Sequence, residues 1–232
     1  ETAGLGFINF FLGTEFYSAV IREILANPEA YGRSEYGRDE KVMVEFVSAN
    51  PTGPMHMGNA RGGALGDCLA AVLDKAGYNA WREFYVNDAG NQIEKFGCSL
   101  EARYLQIFKG DEIEFPEDGY QGEDIKDLAK EYADINGDSL VNVSAEERKK
   151  ALVDYALPKN IKKMQADMEK YKIFYDKWFF ESELHKSGAV QAVVDLLTEK
   201  GLTYEKDGAV WYKNKEVLTQ KLLKEGKSQK YI

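Results

Sequence analysis

The chain has 232 residues, 44% of them hydrophobic and 12% aromatic, and a formal charge of −9 at pH 7. This composition excludes a disordered chain, and the length suits one large domain or two modest ones that can bury a core without disulfide staples. No run of about twenty apolar residues is present, which excludes a transmembrane helix. The acidic balance argues against non-specific nucleic-acid binding by this piece, though not against a specific RNA partner met by a local basic patch. Cys68 and Cys98 are the only cysteines; they show no metal-type spacing and read as reduced thiols of a cytosolic protein. The abrupt start at Glu1, without a leader, reads as a cut from something longer or as a processed start, and the open end at Tyr231-Ile232 reads as a cut.

In chain order, residues 7–25 are apolar and aromatic, and Phe16, Val20, Ile21, Ile24 and Leu25 predict a helix with Thr14 as its N-cap. Asn27–Glu40 is polar and turn-rich and reads as a linker. Lys41–Val47 is a short apolar strand carrying one acid, Glu45. A helix follows over His56–Ala76 through Leu65, Leu69, Val72 and Leu73, stopped by Gly77, and Asn79–Val86 is the next strand. Strand, loop, helix and strand in about 45 residues predict a right-handed crossover and a parallel sheet. A further helix is expected near Ile93–Phe108, then an exposed acidic loop with short helical pieces over 109–143. Ser144-Ala145-Glu146-Glu147 reads as a capping box opening a long helix to Tyr171, interrupted near Pro158. Phe174–Glu181 is a strand candidate, Ser187–Lys200 a helix, and "LTYEKDGAVWYK" a hairpin turning at Asp207-Gly208 before a lysine-rich helix.

The stretch Ser48–Asp67, "SANPTGPMHMGNARGGALGD", concentrates two prolines, five glycines and one of the two histidines. In an open parallel sheet, ligands sit beyond the carboxyl ends of strands, where helix N-termini present backbone N–H groups to anions. Gly58, Gly62 and Gly63 permit close approach, and His56 and Asn59 add donors one helical turn apart. The set suits a polyphosphate and charge growing on a phosphorus centre; an ordinary glycine-rich turn with a structural histidine is the plainer alternative. Neither GxGxxG nor GxxxxGK[ST] is present.

"MVEFVSANPTGPMHMGNARGGALGD" closely resembles the signature region of the bacterial arginyl-tRNA synthetases, a class I aminoacyl-tRNA synthetase family. His56-Met57-Gly58-Asn59 stands where that class has His-Ile-Gly-His, and the similarity continues through Gly77–Ile93, "FINFFL" and, more weakly, "YDKWFFESEL" and "GAVWYK". Nearly the whole chain is covered, with the specific match over residues 43–93. The resemblance implies an enzyme that joins L-arginine to ATP, accompanied by Mg2+, releases pyrophosphate, and passes arginyl to tRNA(Arg). By that match His56 contacts the phosphates, Gly58 leaves room for the adenine ring, and Asn59 replaces the family's second histidine. Asn59 can donate a hydrogen bond but cannot carry charge, and reads as a tolerated variant. Glu45 and Asn50 match positions that grip the arginine; a guanidinium is best held by a carboxylate in a bidentate pair. The plainer alternatives are that Glu45 pairs with Arg61 or Arg82 and that Asn50 caps the turn before Pro51. Ser48 lies in the same loop and could touch either substrate. Asn87, Asp88 and Gln92 either line the pocket or brace the loop.

Other features read as structural. His185 is expected to be exposed; Trp178, Phe179 and Phe180 are expected in the core of an inserted domain, with an RNA-stacking platform as the alternative, and the lysines of 149–170 on a solvated helix face, with tRNA contact as the alternative. "EGKSQK", Glu225–Lys230, has the wrong spacing for the class's second signature, Lys-Met-Ser-Lys-Ser. The expected architecture is α/β: residues 1–32 the tail of an N-terminal tRNA-contacting domain, 33–40 a linker, 41–107 the first half of a Rossmann-like class I nucleotide-binding fold, and 108–232 an inserted mixed α/β connective domain. No metal site in the protein, no membrane and no DNA partner are expected, and the enzyme is expected to be a cytoplasmic monomer whose isolated fragment is inactive. The alternatives are another class I synthetase, a nucleotidyltransferase with the same type of signature, or a non-catalytic scaffold that kept the fold.

Overall fold

The structure, a computed structural model, describes residues 1–225. Thr2–Ala3 (β1) and Phe7–Ile8 (β2) form a minimal antiparallel pair, with Thr2 opposite Ile8. Thr14–Ala26 is helical (α1); Gly13, not Thr14, holds the cap position. Lys41–Glu45 (β3), Met57–Lys75 (α2) and Asn79–Val86 (β4) give the predicted strand–helix–strand crossover, and Asn91–Lys109 (α3) follows. Next come Glu123–Asn136 (α4), Ala145–Lys170 (α5), Lys177–Phe180 (β5), Glu181–Lys186 (α6) and Ala189–Glu199 (α7). Thr203–Lys206 (β6), Ala209–Tyr212 (β7) and Asn214–Lys224 (α8) complete the described elements. The sheet order is β3-β4-β5, and among the described residues β6 pairs only with β7. No helix among the described residues is long and apolar enough to cross a membrane.

The contacts divide the chain into two compact units. The first comprises Glu1–Val47, Met57–Glu83 and Ile173–Lys177. Within it β3 and β4 run parallel, in register from Lys41 opposite Asn79 to Glu45 opposite Glu83. The expected linker over 27–40 is tied to the end of α2. Arg33 grips the Asp74 carboxylate at 3.0 Å, and the amides of Ser34, Gly37 and Asp39 donate to the carbonyls of Lys75, Ala76 and Gly77. The hydrogen bond from Arg33 holds the Asp74 carboxyl below its ordinary range. Gly77 ends the helix as predicted: its φ of +88° is left-handed, and the Ser34 carbonyl fills the space a side chain would need.

The buried face of α2 differs from the predicted one. Gly63, Gly66 and Ala70 are buried, whereas Leu65, Leu69 and Val72 are exposed. Small residues let the helix approach closely: a Cβ at Gly66 would overlap the base of the Phe46 side chain. That ring lies 4.7 Å from the Tyr175 ring, centroid to centroid, and the Tyr175 hydroxyl donates to the Phe46 carbonyl at 3.2 Å.

The second unit comprises Ser48–His56, Phe84–Lys172 and the described residues from Trp178 to 225. Its core is a three-helix cluster in which Phe96, Leu100 and Tyr104 of α3 meet Ile125 and Ala129 of α4 and Leu152 and Ala156 of α5. The expected acidic loop over 109–143 is therefore partly wrong. Ile125, Ala129 and Ala133 recur every fourth residue, and burying that stripe makes α4 a packed helix. The predicted cap is present: the Ser144 hydroxyl accepts from the Glu147 amide at 3.2 Å. The predicted interruption near Pro158 is absent, because α5 runs unbroken from Ala145 to Lys170. Pro158 faces solvent, and Arg148, Leu152, Ala156, Asn160, Met164 and Met168 form a buried line at every fourth position on both sides of it. Packing of that line outweighs the hydrogen bond that proline removes. The hairpin turns as predicted on Asp207 and Gly208, both at positive φ. The strand expected over 174–181 is shorter, Lys177–Phe180, and α6 takes over at Glu181.

Two outcomes follow for stability. Gly66→Ala should destabilise the protein by about 1–3 kcal/mol, read by thermal melting, because the Phe46 side chain cannot yield at its base. Burial, and after it the charge of Asp67, raises the pKa of the Tyr175 hydroxyl above its ordinary value. The neutral phenol is thus favoured in the folded state. Its contribution is complete below the unfolded value of about 10 and declines as pH rises beyond it. Alkaline melts of Tyr175→Phe should lack that component of the decline.

Candidate substrate site

Glu45 is the last residue of β3 and is exposed. Its register partner on β4 is Glu83, so two acidic residues stand side by side on a parallel pair, and the Glu83 carboxylate accepts from Trp81 Nε1 at 3.2 Å. Like charges in such positions repel, and a cation between them removes the cost. Among the described residues Glu45 makes no ion pair: Arg82, one of the partners considered for it, binds Asp67 at 3.2 Å instead. Sequence reasoning missed Glu83. Its signal was the parallel register, which places residue 83 opposite 45 once the strands are aligned at 41 and 79. In the same unit Gly58 and Asn59 occupy the first turn of α2, Gly58 exposed and Asn59 half-buried.

The remaining predicted residues belong to the second unit. The chain leaves β3 through two non-glycine residues with left-handed backbone, Val47 at φ +67° and Ser48 at φ +44°. For a β-branched residue such a φ is an outlier, and strain of this kind gathers at functional turns. The Ser48 hydroxyl accepts the amide of Tyr85 at 3.1 Å, so a side chain satisfies a β4 donor beyond the point where β3 ends at Glu45. Further along the loop, Pro51 is fully buried and Thr52 is 6% exposed, whereas Asn50 and His56 are exposed.

Asn87, Asp88 and Gln92 all brace neighbouring structure. Asp88 Oδ1 accepts from the Ser182 amide at 2.8 Å, Gln92 accepts from the Tyr120 hydroxyl, and the Asn87 amide nitrogen donates to Glu181. The Asn87 amide also lies 3.3 Å from that of Asn50, which brings one predicted site residue against the loop after β4. Trp178 and Phe179 stack on Phe84 and Tyr85 at 4.2 and 5.7 Å, half-buried rather than at the centre of a core. His185 is exposed as expected, 3.7 Å from Glu181. Lys149, Lys150 and Lys159 pair with Glu94, Asp154 and Glu131. Both cysteines are free thiols, and burial raises the pKa of Cys98. Among the described residues no three His, Cys, Asp or Glu side chains converge on a point fit for a metal ion. Residues 226–230 of the "EGKSQK" segment lie outside the described residues.

The family described as "tRNA synthetases class I (R), catalytic domain" matches residues 20–220. The chain is 61% identical over 214 residues to the arginine–tRNA ligase of Acetivibrio thermocellus, covering 92% of this chain and 38% of that protein. It is 58% identical to the arginine–tRNA ligase of Ruminiclostridium cellulolyticum over 94% of this chain and 39% of that one. Among solved structures, a Campylobacter jejuni protein assigned as an arginyl-tRNA synthetase superposes with a TM-score of 0.71 at 34% identity, over 87% of this chain and 43% of its own. The chain thus spans well under half the length of the curated relatives it matches.

Replacing Ser48 by alanine should leave the Tyr85 amide without its acceptor, at a cost of about 1–2 kcal/mol. Hydrogen exchange should show Tyr85 accelerated well beyond its strand neighbours; unchanged protection would reject the Ser48 cap.

Proposed function

The chain belongs to the class I arginyl-type tRNA synthetase family and carries part of its catalytic domain, and from that premise we propose that the full-length protein activates arginine with ATP and charges tRNA(Arg). The observation that carries the reading is the exposed Glu45 carboxylate, beside Glu83 and without a cationic partner among the described residues. A guanidinium is the complement such an edge requires. Glu45 binds that group, and Asn50, exposed in the loop, orients the amino acid. The arginine carboxylate attacks the α-phosphorus of ATP and pyrophosphate leaves. The ribose hydroxyl at the tRNA terminus then attacks the acyl carbon of the adenylate, forming the ester as the acyl–phosphate bond breaks and AMP leaves.

On the nucleotide side, the first turn of α2 supplies N–H groups that favour an anion, and Asn59 adds a side-chain donor. His56 donates to the phosphates and is catalytic in stabilising charge as the α-phosphorus is attacked, while Gly58 leaves space for the adenine. Ser48 retains a hydroxyl proton to donate toward either substrate. Magnesium would neutralise phosphate charge when it accompanies ATP; with no three His, Cys, Asp or Glu side chains converging among the described residues, none of them is assigned to hold it. In this reading residues 1–32 end a tRNA-contacting domain, 41–107 begin the nucleotide-binding fold and 108–232 are the connective insertion. The protein works as a cytoplasmic monomer, without membrane or DNA. The 232-residue piece alone does not aminoacylate.

Arginine-dependent ATP–pyrophosphate exchange by the full-length protein, with tRNA present, tests this. Glu45→Ala should raise KM for arginine about thirtyfold or more, the worth of a charge-assisted pair. His56→Ala should lower kcat about a hundredfold, as expected for loss of a donor to developing charge. Full charging activity in both variants would show that the residues are misassigned.

A further inference from the structure

The long helix α5 buries one line of side chains, and that line is apolar except at two positions. Leu152, Ala156, Met164 and Met168 are interrupted by Arg148 at one end and Asn160 in the middle. A buried polar side chain is costly unless it makes hydrogen bonds, so each of the two needs a reason. Arg148 has one within the helical cluster: its guanidinium binds the carbonyls of Leu140, Val141 and Val143 and the carboxylate of Glu101. Asn160 does something else. Only 8% exposed, it donates through Nδ2 to the carbonyl of Pro51 at 3.0 Å, across 109 residues of sequence.

Pro51 is an effective point at which to hold this loop. Its ring fixes its own φ, and the residue before a proline is confined to extended backbone, so Asn50 and Pro51 form a stiff pair. Pro51 and Thr52 are buried while Asn50 is exposed. A buried anchor therefore stands next to the side chain that reaches solvent. Restraining the Pro51 carbonyl restrains the direction in which Asn50 leaves the loop. The Asn50 side-chain amide itself lies 3.3 Å from that of Asn87.

We propose that Asn160 is a positioning residue for arginine activation, acting through the Pro51 carbonyl to hold Asn50 in its productive orientation. The inference rests on the functional reading above, in which Asn50 orients the amino acid. It places a determinant of substrate binding on a helix remote in sequence from the signature loop. Its chemical requirement is a short side-chain donor. Leucine would suit the apolar line, and aspartate would match the shape, but neither can donate to a carbonyl.

The test uses the full-length protein and arginine-dependent ATP–pyrophosphate exchange, with Asn160→Leu, Asn160→Asp, Asn50→Ala and the Asn50→Ala/Asn160→Leu double variant. Asn160→Leu should raise KM for arginine about tenfold, the worth of one buried hydrogen bond, with a smaller change in KM for ATP. In the Asn50→Ala background the same substitution should add less than about twofold, because the residue it positions is already gone. Asn160→Asp should give the same KM pattern, and it decides the matter if the leucine variant does not fold. Equal costs in both backgrounds would mean that Asn160 only stabilises the fold, and wild-type KM for arginine in both Asn160 variants would mean that it positions nothing; either result overturns the proposal. If Asn50→Ala itself binds arginine normally, or the parent protein shows no arginine-dependent exchange, the functional reading falls and this inference with it. Loss in Asn50→Ala with none in the Asn160 variants removes the inference alone.

Discussion

A parallel pair of strands cannot be closed by a tight turn. Once β3 and β4 are aligned from Lys41 opposite Asn79 to Glu45 opposite Glu83, the chain has to leave the sheet, cross over as a helix and return at the starting edge. Most of what distinguishes this protein follows from that constraint. The exit comes at Val47 and Ser48, whose left-handed backbone turns the chain out of the strand direction. The return needs α2 close to the strands, which is why glycine and alanine, not leucine, face inward along it.

The same constraint explains the distribution of charge. Parallel register sets Glu83 beside Glu45, while Arg82 is held by Asp67 and is taken up by structure. An acidic edge is thereby kept from internal neutralisation. In an ordinary structural sheet such an arrangement would be a defect; in the proposed function it is the complement of a cationic amino acid.

What the sequence could and could not reveal divides along physical lines. The Ser144 cap, the Gly77 stop and the Asp207-Gly208 turn were legible because each is decided by a few neighbouring residues. So was the crossover itself, because strand and helix differ in hydrophobic period. Helix α4 was misread as loop because its acidic composition concealed a narrow stripe, Ile125, Ala129 and Ala133, that matters only once α3 and α5 are present to cover it. Pro158 was read as a break because local propensity says so, and tertiary packing overrules it. Of the candidate site, the loop and its residue types could be named from the motif. Their supports could not: Tyr85 behind Ser48 and Asn160 behind Pro51 lie 37 and 109 residues away. Nothing local in "LPKNIKK" marks Asn160 as different from any helical asparagine.

The turn at Ser48 has a consequence for which amino acids that position accepts. Two demands meet there: a backbone that glycine, asparagine and aspartate enter most readily, and an oxygen on a short side chain to receive the Tyr85 amide. Glycine meets the first and lacks the second. Threonine carries the oxygen, but its branched β-carbon resists the left-handed form. The tolerated alphabet contracts to serine, asparagine and aspartate, and of these aspartate has no proton to donate onward to a substrate.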